Sequence, residues 1–252
     1  MSATPLAGKV AIITGSSRSI GAAIAERLSA DGANVIINYV NGAAAAEEVA
    51  KRINSKGVGR AEIVQADVSS VESTKMLVEK TLQIFNRLDI LVLNAGIMER
   101  TALSDVTEEH FDRHFDVNVK GPLFLAQAAA PHIQTGGRVV FFSTSLTIST
   151  TISPEYLVYV ATKGAVEQLT RVLSKDLGQR QITVNTVSPG PTATPLFMEG
   201  MNEQRAQFLA NLSPMKRLGQ SDDISSTVAF LARDDSQWVS GQNIRVNGAF
   251  AV

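Results

Sequence analysis

The sequence predicts a single α/β domain built on a doubly wound, seven-stranded parallel β-sheet. Short runs rich in Val and Ile alternate with stretches of helical periodicity along the whole chain. The apolar runs are continuous, which is typical of parallel strands covered on both faces, and parallel neighbours need crossover connections. No repeat, low-complexity tract or linker divides the 252 residues. The predicted strands span 9–14, 34–38, 61–66, 88–93, 138–142, 182–187 and 243–246, and the predicted helices span 20–28, 43–53, 71–85, 107–132 (one helix, or two joined at Gly121 and Pro122) and 156–177.

Composition and charge argue against several classes of function. Lys and Arg total 23 against 24 Asp and Glu, a balance that gives no long-range field for a polyanion, so nucleic acid is not an expected partner. Cys is absent, which removes disulfides and thiolate catalysis and favours an intracellular protein. The start has no secretory signal pattern, and no apolar run reaches the ~18–20 residues that span a bilayer. We therefore expect a cytoplasmic protein with no membrane partner.

A turn rich in small residues, Thr14-Gly-Ser-Ser-Arg-Ser-Ile-Gly21, joins the first strand to the first helix. Glycine in such a turn lets the backbone approach a pyrophosphate, and a helix N-terminus presents free N–H groups to it. An ordinary tight connection would use similar residues, so the turn alone does not establish a dinucleotide-binding, Rossmann-type fold. The cofactor-binding residues predicted in this turn are Gly15, Ser17, Arg18, Ser19, Ile20 and Gly21.

The residues that follow the second strand favour NADP(H) over NAD(H). Folds that bind NAD place Asp or Glu there for the ribose 2′-hydroxyl, whereas a 2′-phosphate wants neutral or basic neighbours. This chain has Asn38, Tyr39 and Asn41 at that point, and Arg18 is available as a charged partner for a phosphate. The alternative is that Asn38 and Tyr39 begin a loop and that Arg18 is solvated.

Two further strand ends are candidate cofactor contacts. Asp67-Val68 follows the third strand, where the carboxylate either accepts from the adenine amino group or caps the next helix. Asn94-Ala95-Gly96 closes the fourth strand, where small residues either let a cofactor pass close to the backbone or form a simple turn.

Tyr159 and Lys163 are the candidate catalytic pair. Residues four apart share a helix face, so the ammonium lies on the phenol's side. A free phenol has a pKa of ~10, and a nearby cation lowers it, which would make Tyr159 a general acid for the alkoxide formed when hydride reaches a carbonyl carbon. A surface Tyr and Lys would show the same spacing. Hydroxyl residues at 143–145 and the amide of Asn118 supply the context, since such groups suit orientation of a carbonyl and of a water that relays protons.

In motif order and spacing the chain resembles the short-chain dehydrogenases/reductases over nearly its whole length. It is most similar to members of the tetrahydroxynaphthalene reductase and 3-oxoacyl carrier-protein reductase type, through SLT at 145–147, GAVEQLTRVLSKDL at 164–177 and the IRVNGAF ending. The resemblance implies an NADPH-dependent reductase that acts on a carbonyl substrate, apolar or aromatic in character, and a homotetramer formed through the helices near 108–132 and 156–177. The implied catalytic residues are Asn118, Tyr159, Lys163 and either Thr144 or Ser145, and the implied contacts to the nicotinamide end and the phosphates are Pro189, Gly190, Thr192 and Thr194.

Three departures from the family pattern limit what the resemblance transfers. Ser19 replaces the middle glycine of the first turn, which is expected to alter the pocket near the phosphates or the cofactor affinity. Leu93 replaces the first Asn of the usual NNAG, which removes one structural hydrogen bond. Counting along the fifth strand places the catalytic hydroxyl on Thr144, whereas counting back from Tyr159 points nearer Ser145, so both stay open.

Two further sets of residues were weighed. His110 and His114 have the spacing of helix-borne metal ligands, but no third ligand accompanies them in the sequence, so we expect surface helix positions and no metal. The segment 191–218 is either a mobile lid over an apolar substrate, which is favoured, or a helix packed on the core; its large apolar residues are Leu196, Phe197, Met198, Met201, Phe208 and Leu209. By position in the family, the plausible pocket walls are Ile97, Met98, Leu146, Ile152 and Tyr156.

The same residues leave two alternatives to a reductase. An NAD(P)-linked alcohol dehydrogenase would run the reverse chemistry on the same groups, since a catalyst accelerates both directions. A non-catalytic sensor that binds a dinucleotide is less favoured, because the Tyr, Lys and Asn set is intact.

Overall fold

The computed structural model describes residues 4–198 and 202–252 and contains one seven-stranded, fully parallel sheet. The strand order is β3-β2-β1-β4-β5-β6-β7, so the chain winds outward from β1 to β3 and then returns to lay β4 against the other side of β1. The predicted doubly wound fold is confirmed. The strands are β1 (Val10–Ile13), β2 (Asn34–Tyr39), β3 (Ala61–Gln65), β4 (Leu88–Leu93), β5 (Ile133–Phe142), β6 (Thr183–Pro189) and β7 (Asn243–Val246).

The helices pack on both faces of the sheet. Buried apolar residues of α1, α2 and α9 form one core layer, and those of α3, α5 and α6 form the other. Successive strand residues alternate between the layers: Ile13 and Ile37 join the first layer, whereas Ile12 and Ile36 join the second. The helices are α1 (Ser19–Ala30), α2 (Ala43–Lys56), α3 (Val71–Phe85), α4 (Glu108–Phe115), α5 (Gly121–Ala129), α6 (Leu157–Leu177), α7 (Pro195–Met198), α8 (Glu203–Leu212) and α9 (Ser221–Ala232).

The predicted long helix from residue 107 to about 132 consists of two helices joined by a π-helical turn. That turn spans Asp116–Lys120, just before Gly121 and Pro122, and α5 ends at Ala129. The following strand begins at Ile133, earlier than the predicted start at Arg138. In the described ranges 4–198 and 202–252, no helix combines the length and apolar character that crossing a membrane requires.

The reversal in strand order places a crevice beyond the carboxyl ends of β1 and β4. Two hydrogen bonds tie these ends together: the Ala95 N–H donates to Thr14 Oγ1 at 2.9 Å, and Asn94 Nδ2 donates to the Thr14 carbonyl at 2.9 Å. Open parallel sheets bind their ligands at such a switch point. The predicted functional motifs follow β1, β2, β3, β4, β5 and β6, so they face this edge.

Candidate active site

A cavity of about 1170 Å³ lies along the carboxyl edge of the sheet. It is lined by most of the residues predicted from the sequence, and further walls come from several parts of the chain, including the segment after β6 and Phe250. The predicted site residues that line it are Gly15, Ser17, Arg18, Ser19, Ile20, Gly21, Tyr39, Asn41, Asp67, Val68, Asn94, Ala95, Gly96, Thr144, Ser145, Tyr159, Lys163, Pro189, Gly190, Thr192 and Thr194.

The turn after β1 leaves the N-terminus of α1 open toward the cavity. Arg18 occupies the N-cap position but makes no side-chain cap hydrogen bond, and the first turn of α1 holds no acidic residue. A Cβ on Gly21 would lie 2.4 Å from the Gly15 carbonyl oxygen, so the turn is folded tightly around that glycine. Unpaired N–H groups with no competing carboxylate suit a phosphate group. This local arrangement fits the pyrophosphate of a dinucleotide.

Asn38 does not reach the cavity, contrary to the prediction of a direct cofactor contact. Its side chain is buried, with Oδ1 accepting from the Gly15 N–H at 3.3 Å and Nδ2 donating to the carbonyls of Val64 and Ala66 at 3.3 and 3.0 Å. Asn38 therefore links the turn after β1 to the end of β3. Tyr39 and Asn41 do line the cavity.

Asp67 organises the turn before α3, whereas Ser70 is the N-cap of that helix. Asp67 Oδ1 accepts from the Ser69 N–H at 2.9 Å and from the Ser69 hydroxyl at 2.8 Å, as expected of a residue that organises a turn before a helix. The residue also lines the cavity. The turn uses one carboxylate oxygen, which leaves the other for a ligand.

Tyr159 stands beside Thr144. A hydrogen bond from Thr144 favours a lower pKa of the phenol, but burial is the larger effect, and together with the neighbouring Tyr156 it raises the pKa of Tyr159 to about 12. The side-chain hydroxyl of Thr144 also accepts from the Leu146 N–H at 3.3 Å. The phenol is therefore held protonated at neutral pH, which is the form that can donate a proton.

The sequence predicted that Lys163 lowers the pKa of the Tyr159 phenol, but in this structure Lys163 is not among the groups that shift it. Its Nζ donates to the Phe142 carbonyl at 2.9 Å and lies 5.8 Å from the centre of the Tyr159 ring. Burial lowers the pKa of Lys163 itself to about 8. The ammonium is directed at a backbone carbonyl at the end of β5.

Ser145 is committed to structural contacts. Its Oγ donates to the Ser188 carbonyl at 3.2 Å and accepts from Asn247 Nδ2 at 3.0 Å, and the residue is 1% exposed. Since a hydroxyl has one hydrogen to donate, Ser145 has no hydrogen left for a ligand although it lines the cavity. Of the two candidate hydroxyls, the one adjacent to the phenol is that of Thr144.

Asn118 is buried in the π-helical turn, and its amide is fully used. Its Oδ1 accepts from the Ile97 N–H at 2.9 Å, while Nδ2 donates to the Ile97 carbonyl at 2.9 Å and to Thr162 Oγ1 at 3.1 Å. A Cβ on Gly96 would lie 3.2 Å from Asn118 Oδ1 and 3.4 Å from Lys163 Nζ. The side-chain amide thus fixes the segment after β4, at Ile97, against Thr162 of α6, and no atom of the amide is left for the predicted water.

The two histidines are not surface positions, because His114 is fully buried and His110 is largely so. The fold also brings a third acceptor close, since Glu99 lies with both histidines in a group of suitable spacing for a metal. Both nitrogens of His114 are already bonded, however: Nε2 accepts from the Glu99 N–H at 3.2 Å, and Nδ1 lies 2.8 Å from the His110 carbonyl. Glu99 pairs with Arg113 at 2.6 Å. These contacts describe a hydrogen-bonded cluster beside the cavity.

The part of the cavity lined by α8 and Phe250 is mainly apolar and is the candidate substrate end. One stripe of α8 faces it through Phe208, Leu209 and Leu212, and the segment that carries α7 and α8 is closed at its base by a parallel bridge between Thr192 and Gly219. Met201 and the side chain of Leu196, both predicted parts of this segment, lie outside the described residues. The apolar walls are Ile97, Met98, Leu146, Ile152, Tyr156, Phe197, Phe208, Leu209, Leu212 and Phe250.

Sequence reasoning did not single out Leu212 or Phe250 as walls. Phe250 reaches the cavity because Asn247 fixes the turn before it, donating to the Ala251 carbonyl at 2.7 Å and to Ser145. The only available signal was an aromatic residue in the IRVNGAF ending, which periodicity cannot place.

Comparison with known proteins identifies the family. The family model described as enoyl-(acyl carrier protein) reductase matches residues 15–250. An uncharacterised oxidoreductase of Methylorubrum extorquens is 45% identical over 96% of this chain and 98% of its own length, and a probable tetrahydroxynaphthalene reductase of Zymoseptoria tritici is 40% identical over 97% and 95%. Among solved structures, an angucycline C-6 ketoreductase with bound NADP is 39% identical, with a TM-score of 0.91 over 98% of this chain and 96% of that one.

These matches extend over almost the entire chain, and the structural likeness agrees with the Rossmann-type fold. The chain is an oxidoreductase that belongs to the short-chain dehydrogenase/reductase family.

Proposed function

We propose that the protein reduces a ketone with NADPH and that Tyr159 donates the proton. The observation that carries the proposal is the position of the Tyr159 phenol, next to Thr144 and in the same cavity as the open N-terminus of α1. Bound NADPH supplies a hydride to the carbonyl carbon. The carbonyl oxygen gains negative charge as the hydride arrives, and it takes the proton from Tyr159 as the new C–H bond forms.

Thr144 orients the carbonyl in this proposal. Its hydroxyl lies beside the phenol, whereas Ser145 is bonded to Ser188 and Asn247. A hydroxyl that donates to the carbonyl oxygen stabilises the charge that develops there. Lys163, buried on the helix that carries Tyr159, holds the ribose of the cofactor. Asn118 keeps the Ile97 backbone in place.

NADP(H) is the proposed cofactor. The end of β2 presents Tyr39 and Asn41 to the cavity and no Asp or Glu. In the ranges that the structure describes, Arg18 has no acidic partner, so its charge is available to a 2′-phosphate. The related ketoreductase with bound NADP supports the same choice.

The proposed substrate is an apolar or aromatic carbonyl compound, covered by the segment 191–218 as a lid. The aromatic walls Tyr156, Phe197, Phe208 and Phe250 favour a flat ring system. The bridge between Thr192 and Gly219 fixes the base of the segment, so movement would be confined to the part between them.

A homotetramer is also part of the proposal. The helices named from the family resemblance carry exposed apolar side chains, among them Phe111 on α4 and Leu157 and Val172 on α6. Exposed apolar residues of this size on adjacent helices fit a contact between copies of the chain. Light scattering coupled to gel filtration should give four times the chain mass, and a monomer mass would refute this part.

The test of the function is a steady-state assay with NADPH and NADH against quinones, polyhydroxynaphthalenes, β-ketoesters and steroids, for the wild type and for Tyr159→Phe. We expect preference for NADPH and a loss in kcat of at least about a hundredfold in the variant, because the proton donor is gone. NADPH affinity, measured by fluorescence titration, should stay within about twofold. A variant that keeps full turnover would overturn the role of Tyr159.

A further inference from the structure

Glu167 lies one turn beyond Lys163 on the catalytic helix. Tyr159, Lys163 and Glu167 follow one another at intervals of four residues, so the three side chains lie on neighbouring turns of one face of α6. Glu167 is half-buried and does not line the cavity. Its function therefore has to be found in what it binds.

One oxygen of Glu167 holds two hydroxyls. Oε1 accepts from Ser143 Oγ at 2.7 Å and from Thr147 Oγ1 at 2.7 Å. Each hydroxyl has another acceptor nearby, the Lys163 carbonyl at 3.4 Å for Ser143 and the Thr144 carbonyl at 3.0 Å for Thr147. Because a hydroxyl donates only one hydrogen, the shorter contact to a carboxylate is the preferred one.

The two hydroxyls flank the residues that matter for the chemistry. Ser143 directly follows Phe142, whose carbonyl receives Lys163 Nζ, and it directly precedes Thr144. Thr147 lies in the short 3₁₀ helix that comes after Thr144. A single carboxylate thus fixes both ends of the segment 143–147 to the helix that carries Tyr159.

We propose that Glu167 is a positioning residue, which sets the distance between the Thr144 hydroxyl and the Tyr159 phenol by binding Ser143 and Thr147. The inference rests on the proposed function for its kinetic consequence, but the anchoring itself is a property of the chain alone. Without the carboxylate, the segment 143–147 keeps its connection to β5 and its 3₁₀ turn. It loses the two hydrogen bonds that Ser143 and Thr147 donate to Glu167.

The test compares Glu167→Ala, Glu167→Gln and, as a matched control, Asp176→Ala, an exposed acidic residue on the same helix. Hydrogen–deuterium exchange of the peptide 141–148 should become faster in Glu167→Ala and stay unchanged in the other two, because the Gln side-chain oxygen can still accept from both hydroxyls. With phenanthrenequinone as substrate, kcat should fall about tenfold in Glu167→Ala, with NADPH affinity unchanged and with recovery in Glu167→Gln.

Thr147→Val supplies an independent check, because it removes one of the two hydroxyls and leaves the carboxylate. Thr147→Val alone should lower kcat, and adding it to Glu167→Ala should lower kcat no further. Unchanged exchange and unchanged kcat in Glu167→Ala would overturn the proposal. If the wild type reduces no carbonyl, the proposed function fails, while the exchange experiment still decides whether Glu167 anchors the segment.

Discussion

The two ends of the cavity are built differently. At the end beside the N-terminus of α1, which we call the phosphate end, backbone and buried polar groups bind one another: Asn38 holds Gly15, and Asn94 holds Thr14. At the substrate end, apolar side chains from distant parts of the chain, such as Leu146, Phe208 and Phe250, meet with few polar links between them. One end of the cavity is therefore held by hydrogen bonds, whereas the other is shaped by apolar side chains.

The largest expected effect is a loss of NADPH affinity from a substitution at the phosphate end of the cavity alone. Gly21→Ala places a methyl group 2.4 Å from the Gly15 carbonyl oxygen, so the turn must shift. We expect NADPH affinity to fall at least about a hundredfold, since the open N–H groups move with the turn. Gly164→Ala is the control, because a Cβ there meets nothing within 4 Å; it should bind NADPH normally, and isothermal titration calorimetry would show equal loss in both variants if the argument were wrong.

The second effect is on pH dependence and concerns Lys163, between the two ends. Burial lowers its pKa from the ordinary 10.5 to about 8, so the ammonium that we propose as the ribose partner is lost as pH rises through about 8. NADPH binding should weaken by about tenfold per pH unit above that point.

Stability should move in the opposite direction over the same range. Between pH 8 and 10.5 the unfolded chain binds the Lys163 proton and the folded chain does not, so this residue makes folding more favourable as pH rises. Lys163→Met should remove this contribution. Urea unfolding at several pH values measures it, and an identical pH trend in both proteins would contradict the assigned shift.

A smaller effect should be confined to the substrate end. Phe250→Ala removes an aromatic wall, and burial of a Phe side chain is worth ~1.5–3 kcal/mol, so KM for an aromatic substrate should rise about tenfold. NADPH affinity should be unchanged. Trp238→Ala is the matched control, because that ring is 98% exposed, and steady-state kinetics should show no change there.

The smallest effect sharpens the role of Ser19. Its φ of 57° is a left-handed conformation, so Ser19→Gly should raise the free energy of unfolding by about 1 kcal/mol. Gln181→Gly, at φ 58° and outside the cavity lining, should give a similar gain. If the Ser19 hydroxyl contacts the cofactor, only Ser19→Gly also weakens NADPH binding; equal affinities would show that it does not.

The sequence predicted the sheet, its seven strands and most of the cavity lining because these depend on local signals. Apolar runs and small-residue turns report on their own neighbourhood, which is why Gly21 and Gly96 were placed correctly. Asn38 and Asn118 were misjudged in their contacts, because whether a polar side chain points at a ligand or into the fold is decided by partners far along the chain. His114 was predicted at the surface, since the acceptor and donor groups that surround it come together only in the folded chain.

The bonds between Thr14 and the residues after β4 have a thermodynamic consequence. Because the carboxyl ends of β1 and β4 are already tied together, the backbone there loses little freedom when a dinucleotide arrives. A dinucleotide that binds there, as we propose, should therefore pay little entropy for ordering this part of the backbone.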